Sequence, residues 1–464
     1  MQRHRRRSSP KPRTSPLALD CLHPDAAGID CGASEHYVAV PPDRDPRSVR
    51  AFPTFTTSLQ ALADWLATCH VTHVAMEATG VYWIPVFEIL EARGFQVILV
   101  NARHVKHLPG RKTDVQDCEW LRDLHMLGLL RGSFRPADAI VVLRGYLRHR
   151  TTLVESTAAL IQRMQKALVQ MNVQLPVVVS NIVGVTGLAI LRAIVAGERD
   201  PQHLAQHRDP RCHASPADIV AALTGNYRRE HVFVLQQNLE LFDRYQEQLR
   251  SCDAAIESYV HELAATPLTS APVPPARRPG RPRGNEPRFD VRTPLHQLTG
   301  VDLAQIDGIG PYNALRLIAE LGTDMTRWPN EKHFTAWLTL APRNDISGGR
   351  LLRSRTQPSA NRAATILRLA ATNLGRTQTA LGAFYRRLAV RIGKAKAVTA
   401  TARKLAILVY RTLKDHLVYT DPGADAYDRQ HRARVVRRLQ QRAANLGYAL
   451  LNVSTGELVP GTVS

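Results

Sequence analysis

The chain has 464 residues, 44% of them hydrophobic and 22% charged, which is enough for two or three domains with cores of their own. Lys and Arg number 61 against 40 Asp and Glu, and a net charge of +21 calls for a polyanionic partner: nucleic acid first, an anionic membrane surface second. A spanning segment is excluded because no run of about 18 apolar residues occurs, and the basic start "MQRHRRRSSPKPR" is followed by no signal-peptide apolar core.

In chain order, residues 1–17 read as a disordered basic arm, and from residue 26 the pattern becomes α/β. "AAGIDCG", "YVAVPP" and "SVRAFPTF" predict three strands in hairpin order. "TSLQALADWLATC" has helical apolar spacing at Leu59, Leu62, Leu66 and Cys69. "VTHVAMEATG" predicts a strand that stops at Glu77, "GFQVILVN" another, with a helix over roughly 81–93 between them and a helix through "VQDCEWLRDLHMLGLL" after them. Three hairpin strands followed by alternating helix and strand suggest a mixed sheet with helices on its faces. Residues 137–175 and 227–264 are long helical stretches with few breakers, most economically an antiparallel helical hairpin closed by a small helical cap. "TPLTSAPVPPARRPGRPRGNEPR", with seven prolines and five arginines, reads as an extended, solvated linker. A second, largely helical unit begins at about 298, and beyond 416 "DPGAD" precedes a basic helix. The expected boundaries are 1–17 arm, 18–135 α/β domain, 136–263 helical hairpin, 264–297 linker, 298–416 C-terminal domain and 417–464 basic extension. The six cysteines (Cys21, Cys31, Cys69, Cys118, Cys212 and Cys252) form no CxxC pair. That spacing argues against a disulfide framework and fits a reducing, cytoplasmic setting.

Acid is concentrated where a polyanion would be expected to bind. In "GRKTDVQDCEW", Asp114 and Asp117 lie three apart on one helical face, behind Arg111 and Lys112. Asp30 ends the first strand and Glu77 the fourth, so strand ends and a helix N-terminus can bring four carboxylates to one sheet edge. Four such groups raise one another's pKa unless a counter-charge is present. Mg²⁺ is hard and oxygen-seeking, and from two sites about 4 Å apart it can clamp the attacking and leaving oxygens of a phosphodiester. Lys106, Arg111 and Lys112 would draw in the phosphate. Taken alone, a DxxD at a helix start is more often capping and dipole compensation than a metal site.

In the C-terminal unit, "QIDGIGPYNALRLIAELG" places Gly308 and Gly310 in a tight turn before Pro311, one half of a helix-hairpin-helix phosphate grip or a plain helix connection. Ser347 precedes two glycines that bare its hydroxyl, with Ser354, Ser359 and Tyr385 as rival hydroxyls. From Ser347 to Lys414 there are fifteen Lys or Arg and no acid, which points to a surface shaped for phosphates through Arg350, Arg353, Arg355, Arg386, Arg387, Lys394 and Lys396.

Together "GIDCGASEHYVAV", "AMEATGVYW", "VNARHVKHLPGRKTDVQDCEWL", "IDGIGPYNALRLIAELG", "WLTLAPRNDISGGR" and "GKAKAVTATARKLAILVY" resemble the transposases of insertion-sequence family one-ten, relatives of the Piv-type DNA invertases. The order and spacing of these six blocks, over most of residues 26–416, carry the resemblance. It implies an α/β plus α chain: an RNase H-like (RuvC-like) N-terminal domain with a mixed sheet, a long helical coiled-coil hairpin for dimerisation, and a mainly helical C-terminal transposase domain. It also implies a DEDD tetrad on Asp30, Glu77, Asp114 and Asp117 binding Mg²⁺, and a nucleophilic serine matching Ser347. The implied partners are target and donor DNA, a structured non-coding bridge RNA that pairs with both, and further copies of the chain in dimers and tetramers. In such assemblies the serine of one subunit completes the carboxylate site of another. The setting implied is the bacterial cytoplasm, at the nucleoid. Against this pattern, 264–297 looks like an insertion that would loosen the coupling of the flanking domains. The remaining readings are a resolvase-like nuclease that activates water, with Ser347 only a turn residue, and a non-catalytic RNA-binding scaffold.

Overall fold

The computed structural model describes residues 21–101, 113–276, 284–453, 455–456 and 458. The basic arm at 1–17 and Lys106, Arg111 and Lys112 lie outside these residues. Two compact units divide at Arg135 and Pro136, and each is described by itself.

The first unit is built on a five-stranded mixed sheet in the order β3-β2-β1-β4-β5. Its strands are β1 (Ala26–Cys31), β2 (Glu35–Ala39), β3 (Val49–Pro53), β4 (His73–Glu77) and β5 (Gln96–Val100). β1–β2 and β2–β3 pair antiparallel, whereas β1–β4 and β4–β5 pair parallel. This mixed sheet with flanking helices is compatible with an RNase H-like domain. Alternation assigns the two faces. Ile29, Val38, Val74 and Met76 pack with Leu59, Leu62 and Leu66 of α1 (Thr56–Thr68) and with Val86, Phe87 and Leu90 of α2 (Trp83–Ala92). The opposite face carries α3 (Asp114–Met126), where Leu121 meets Ala75 and Val100. Gly28 makes that docking possible, since a Cβ there would overlap the carbonyl oxygen of Cys118 and the backbone nitrogen of Arg122. Arg122, 7% exposed, fastens α3 to the sheet by donating from Nη1 to the Val40 carbonyl at 2.9 Å.

Where β4 begins and α3 ends, three imidazoles pack together. The ring centres of His23 and His73 are 4.5 Å apart and those of His23 and His125 5.0 Å apart. Burial, and then the positive charge His23 and His73 would carry, push the His125 pKa down to about 4. Its Nε2 is buried with no hydrogen-bond partner among the described residues. Burial likewise lowers His73, which bonds Thr72 and faces Asp25. Because the folded value lies below the unfolded one, the unfolded chain takes up more protons, and stability is lost as pH falls from about 6.5 towards 4. We expect urea unfolding at pH 5 to show the first unit weakened by on the order of 2 kcal/mol relative to pH 7. His125→Leu should remove most of that difference, and an equal pH dependence in both proteins would refute the assignment.

In the second unit α4 (Asp138–Gln170) and α9 (Arg229–Leu263) pack antiparallel, with Tyr259 donating to the Ala139 carbonyl and Arg150 paired with Asp253. Leu143, Leu147, Arg150, Leu153, Thr157, Leu160, Met164 and Ala167 recur three and four apart along the buried seam of α4, a coiled-coil spacing. The far end is capped by α5 (Leu175–Val178), α6 (Val185–Val195), α7 (Pro201–Ala205) and α8 (Pro216–Leu223), whose apolar residues share one core with the hairpin. The remainder comprises α10 (Arg292–Thr299), α11 (Pro311–Leu321), α12 (Glu331–Trp337), a two-stranded ribbon of β6 (Arg343–Ser347) and β7 (Arg350–Arg355), α13 (Arg362–Leu374), α14 (Ala380–Ile392), α15 (Lys394–Asp415) and α16 (Ala424–Ala444).

Two expectations about the linker change. α10 begins inside 264–297, because Arg292 forms an ion pair with Asp302 and Asp290 caps its start. The hairpin is also tied firmly to the helices beyond the linker. Arg144 donates to the Ala319 and Glu320 carbonyls at the end of α11 (3.0 and 2.9 Å), and Arg148 binds the Glu320 carboxylate through two nitrogens at 3.1 and 2.8 Å. Arg150, with a side chain 4% exposed, pairs with Asp253 at 2.5 Å and donates to the Asn285 carbonyl and the Tyr312 hydroxyl. Removing one partner of a buried pair strands the other charge. Asp253→Ala should therefore cost about 3 kcal/mol in chemical denaturation, with much of it regained in Arg150→Met/Asp253→Leu.

Candidate active site

β1 and β4 run parallel, with Ile29 opposite Met76 as their last pair, and Asp30 and Glu77 are the next residue on each strand. By alternation both lie on the face of Gly28 and Ala75, the face that α3 covers. α3 is antiparallel to these strands. Its C-terminal His125 sits with His73 at the start of β4, so its N-terminus lies at the strand ends that carry the acids. Thr113 caps that N-terminus, its side chain accepting from the Gln116 nitrogen at 3.2 Å, and Asp114 and Asp117 occupy the first turn.

The neighbours of these carboxylates register their charge. Burial, then Asp30, then Glu77 push the Cys31 thiol well above its ordinary range. Burial foremost, then Glu119 and Asp30, push Cys118 of α3 up to about 12. Tyr37, opposite Asp30 across the sheet, is raised chiefly by its 2.9 Å hydrogen bond to Glu35 and in smaller part by Asp114. Sheet register, helix direction and these fields bring Asp30, Glu77 and the first turn of α3 to one sheet edge. Asp30, Glu77 and Asp117 are half-buried and Asp114 is exposed, so all are reachable from water. Glu77 Oε1 accepts from the Thr79 hydroxyl at 2.9 Å. The donor set suits a hard divalent cation in kind. No three His, Cys, Asp or Glu side chains among the described residues close around a single point.

Ser347 ends β6, opposite Arg350 of β7. Gly348 and Gly349 between them have φ of 54° and 75°, the two left-handed positions of a type I′ turn. Every residue of both strands is exposed, and no hydrogen bond engages the Ser347 hydroxyl among the described residues. Two of the rivals are engaged locally: Ser354 donates to Asn344 Oδ1 at 2.8 Å and Ser359 accepts from the Asn361 nitrogen at 3.0 Å. The third, Tyr385, packs its ring against Gly375. The ribbon is absent from the sequence reading, although Gly-Gly between two short segments was its signal.

The expected phosphate contacts fall into two groups. Arg350, Arg353 and Arg355 stand exposed on the ribbon, and Lys394 and Lys396 on the first turn of α15. Arg386 is engaged by the chain itself, donating to the Thr377 carbonyl at 2.5 Å, and Arg387 stacks on Tyr427. Gly308, at φ 87°, makes its close approach to Leu374 and the Ala370 carbonyl of α13, so packing already accounts for it. Gly310 is an extended residue heading α11, and a Cβ added there would meet no neighbour. Gly28 and Arg122, which seat α3, were not anticipated; a glycine two positions before a strand-end acid was the available sign. All six cysteines are free thiols, and no helix among the described residues is long and apolar enough to cross a membrane.

A transposase family model of the DEDD, IS110 type matches residues 27–173, and the model described as Transposase IS116/IS110/IS902 family matches residues 302–386. No curated relative matches the chain. The first match contains all four carboxylates and the second contains Ser347, and the DEDD type carries with it the use of a divalent metal. Together the two matches take in half of the chain, which belongs to the IS110 family of transposases and is a DNA-transposing enzyme.

Proposed function

We propose that the chain cuts and exchanges DNA strands through a covalent phosphoserine at Ser347, with Asp30, Glu77, Asp114 and Asp117 as its metal ligands. The observation that supports this is the shared sheet edge on which the ends of β1 and β4 and the first turn of α3 lie. The tetrad would hold Mg²⁺, which when bound supplies charge stabilisation for the attacking and leaving oxygens of a phosphodiester. Ser347 Oγ gives up its proton and attacks phosphorus; the Oγ–P bond forms as the P–O3′ bond breaks, leaving a free 3′-hydroxyl. The phosphodiester's energy is retained in that link, so a 3′-hydroxyl of other DNA can displace the serine without ATP. Arg350, Arg353 and Arg355 beside Ser347 hold the strand, and Lys106, Arg111 and Lys112 serve the tetrad in the same way. Following the resemblance, subunits pair through the α4–α9 hairpin into dimers and tetramers, and the serine of one subunit serves the carboxylates of another. A structured bridge RNA selects target and donor DNA by base pairing, so the side chains need not encode sequence.

The test is strand exchange between labelled DNAs in Mg²⁺ with the RNA that co-purifies, with denaturing gels to detect protein–DNA adducts. The expected result is an adduct in the parent and none in Asp114→Ala. Cleavage retained by Ser347→Ala with no adduct in any variant would replace this reading with a water-activating nuclease.

A further inference from the structure

Two residues of β2, Glu35 and Tyr37, share the carboxylate edge without belonging to the tetrad. β2 runs antiparallel to β1, with Tyr37 directly opposite Asp30 and Val38 opposite Ile29. Residues that face one another across paired strands lie on one side of the sheet, their Cβ atoms about 5 Å apart. Val38 and Ile29 are buried with α1 and α2. Tyr37 and Asp30 therefore stand on the other face, which α3 covers, and Glu35, two residues before Tyr37, shares it. α3 packs across β2 as well as β1, and the charge of Asp114 in its first turn reaches the Tyr37 phenol. A tight turn sets Glu35 in place: the Gly32 nitrogen donates to the Glu35 carbonyl at 3.1 Å, and a Cβ on Gly32 would overlap that oxygen.

Held in this way, Tyr37 donates its phenolic proton to Glu35 Oε1 at 2.9 Å. Among the described residues neither side chain has another hydrogen-bond partner, and both are half-buried, as Asp30 is. A phenol has one proton to give and lone pairs with which to accept. Once that proton is committed to a carboxylate, the oxygen can act only as an acceptor. Its neighbours Asp30 and Asp114 are acceptors too when ionised, so they bring it no proton. The group that complements such an oxygen is an incoming hydroxyl, and the reaction at this edge brings two: a serine Oγ–H for cutting and a 3′-hydroxyl for rejoining.

We propose that Tyr37 is a catalytic residue that accepts the O–H of the attacking hydroxyl and so aims its lone pair at phosphorus, with Glu35 as the positioning residue that turns the phenolic proton aside. The proposal rests on strand cutting and rejoining at the carboxylate edge, and it adds to that reading the groups that orient the nucleophile. Tyr37 neither gains nor loses a proton. The proton of the attacking hydroxyl passes to solvent water as the new O–P bond forms and the old one breaks. An acceptor that is left unchanged by the first step is ready for the second, which suits a reaction made of two successive exchanges.

The test compares the full chain, with the RNA that co-purifies, against Tyr37→Phe, Glu35→Leu and Glu35→Gln. Single-turnover strand exchange is followed over a range of DNA concentration, with Mg²⁺ calorimetry and melting temperature measured alongside. Tyr37→Phe and Glu35→Leu should each lower the rate at saturating DNA by on the order of 10²-fold, the scale of a misaimed nucleophile. Half-saturation by DNA, Mg²⁺ affinity and melting temperature should stay as in the parent. Glu35→Gln, whose amide oxygen can still accept the phenol, should recover most of what Glu35→Leu loses. A Tyr37→Phe rate within a few-fold of an active parent would overturn this proposal alone. So would a fall in Mg²⁺ affinity that matches the fall in rate, because the pair would then build the metal site and not aim the nucleophile. Glu35→Gln as slow as Glu35→Leu would refute the positioning role, and a DNA adduct trapped on Tyr37 itself would make it the nucleophile. A parent that binds Mg²⁺ yet neither cuts nor exchanges strands would overturn the strand-transfer reading, and this proposal with it.

Discussion

Ser347→Ala is expected to abolish the protein–DNA adduct and to lower strand exchange by on the order of 10⁴-fold, while leaving the circular dichroism spectrum and melting temperature unchanged. The separation of effects follows from position. Ser347 is exposed at the end of β6, its hydroxyl engages nothing among the described residues, and the turn depends on Gly348 and Gly349, not on the serine. Removing one oxygen there disturbs no packing. Chemistry, by contrast, has no substitute, because water in the same place would cut the strand and discard the bond energy that rejoining requires. Ser354→Ala and Ser359→Ala should each stay within a few-fold of the parent, since those hydroxyls already bond Asn344 and the Asn361 backbone. Mass spectrometry of trapped adducts checks the assignment directly: a DNA-bearing peptide containing Ser354 or Tyr385 would move the nucleophile elsewhere.

Gly28→Ala should be far more damaging than a one-carbon change suggests. The new Cβ would overlap backbone atoms of Cys118 and Arg122, and neither can swing aside as the end of a side chain can. α3 must lift from the sheet, which loosens the Leu121 contacts with Ala75 and Val100 and the Arg122 bond to the Val40 carbonyl. A cost of about 3 kcal/mol or more is expected in chemical denaturation. Activity should fall further than stability does, because α3 carries Asp114 and Asp117 and its displacement separates them from Asp30 and Glu77. Gly310→Ala is the matched control: its backbone is extended, the new Cβ would meet no neighbour, and its effect should stay within about 0.5 kcal/mol. Equal stability of the two variants would show that α3 is not seated as described.

These contrasts also show what the amino-acid sequence discloses. The strand-end positions of Asp30 and Glu77 could be read because each follows a short continuous apolar run, Ala26–Ile29 and Val74–Met76, and a buried strand stops where such a run does. The long helices were legible because Leu143, Leu147, Arg150, Leu153 and their successors keep one spacing for many turns. The seat of α3 was not legible, since it depends on Gly28 meeting a backbone some ninety residues later. The ribbon at Ser347 escaped because all of its residues are exposed, so no apolar alternation marks its strands. The start of α10 within the proline-rich stretch depends on the pairing of Arg292 with Asp302. Of these, the seat of α3 is a contact distant in sequence, which local pattern does not encode, whereas the ribbon is a local turn without an apolar stripe.

Titration of the full chain with Mg²⁺ or Mn²⁺ by calorimetry, without nucleic acid, tests the carboxylate site most directly. Saturable binding is expected in the parent and in Ser347→Ala, and weaker binding in each of Asp30→Asn, Glu77→Gln, Asp114→Asn and Asp117→Asn. Equal binding by the parent and all four carboxylate variants would contradict a shared metal pocket at the ends of β1 and β4.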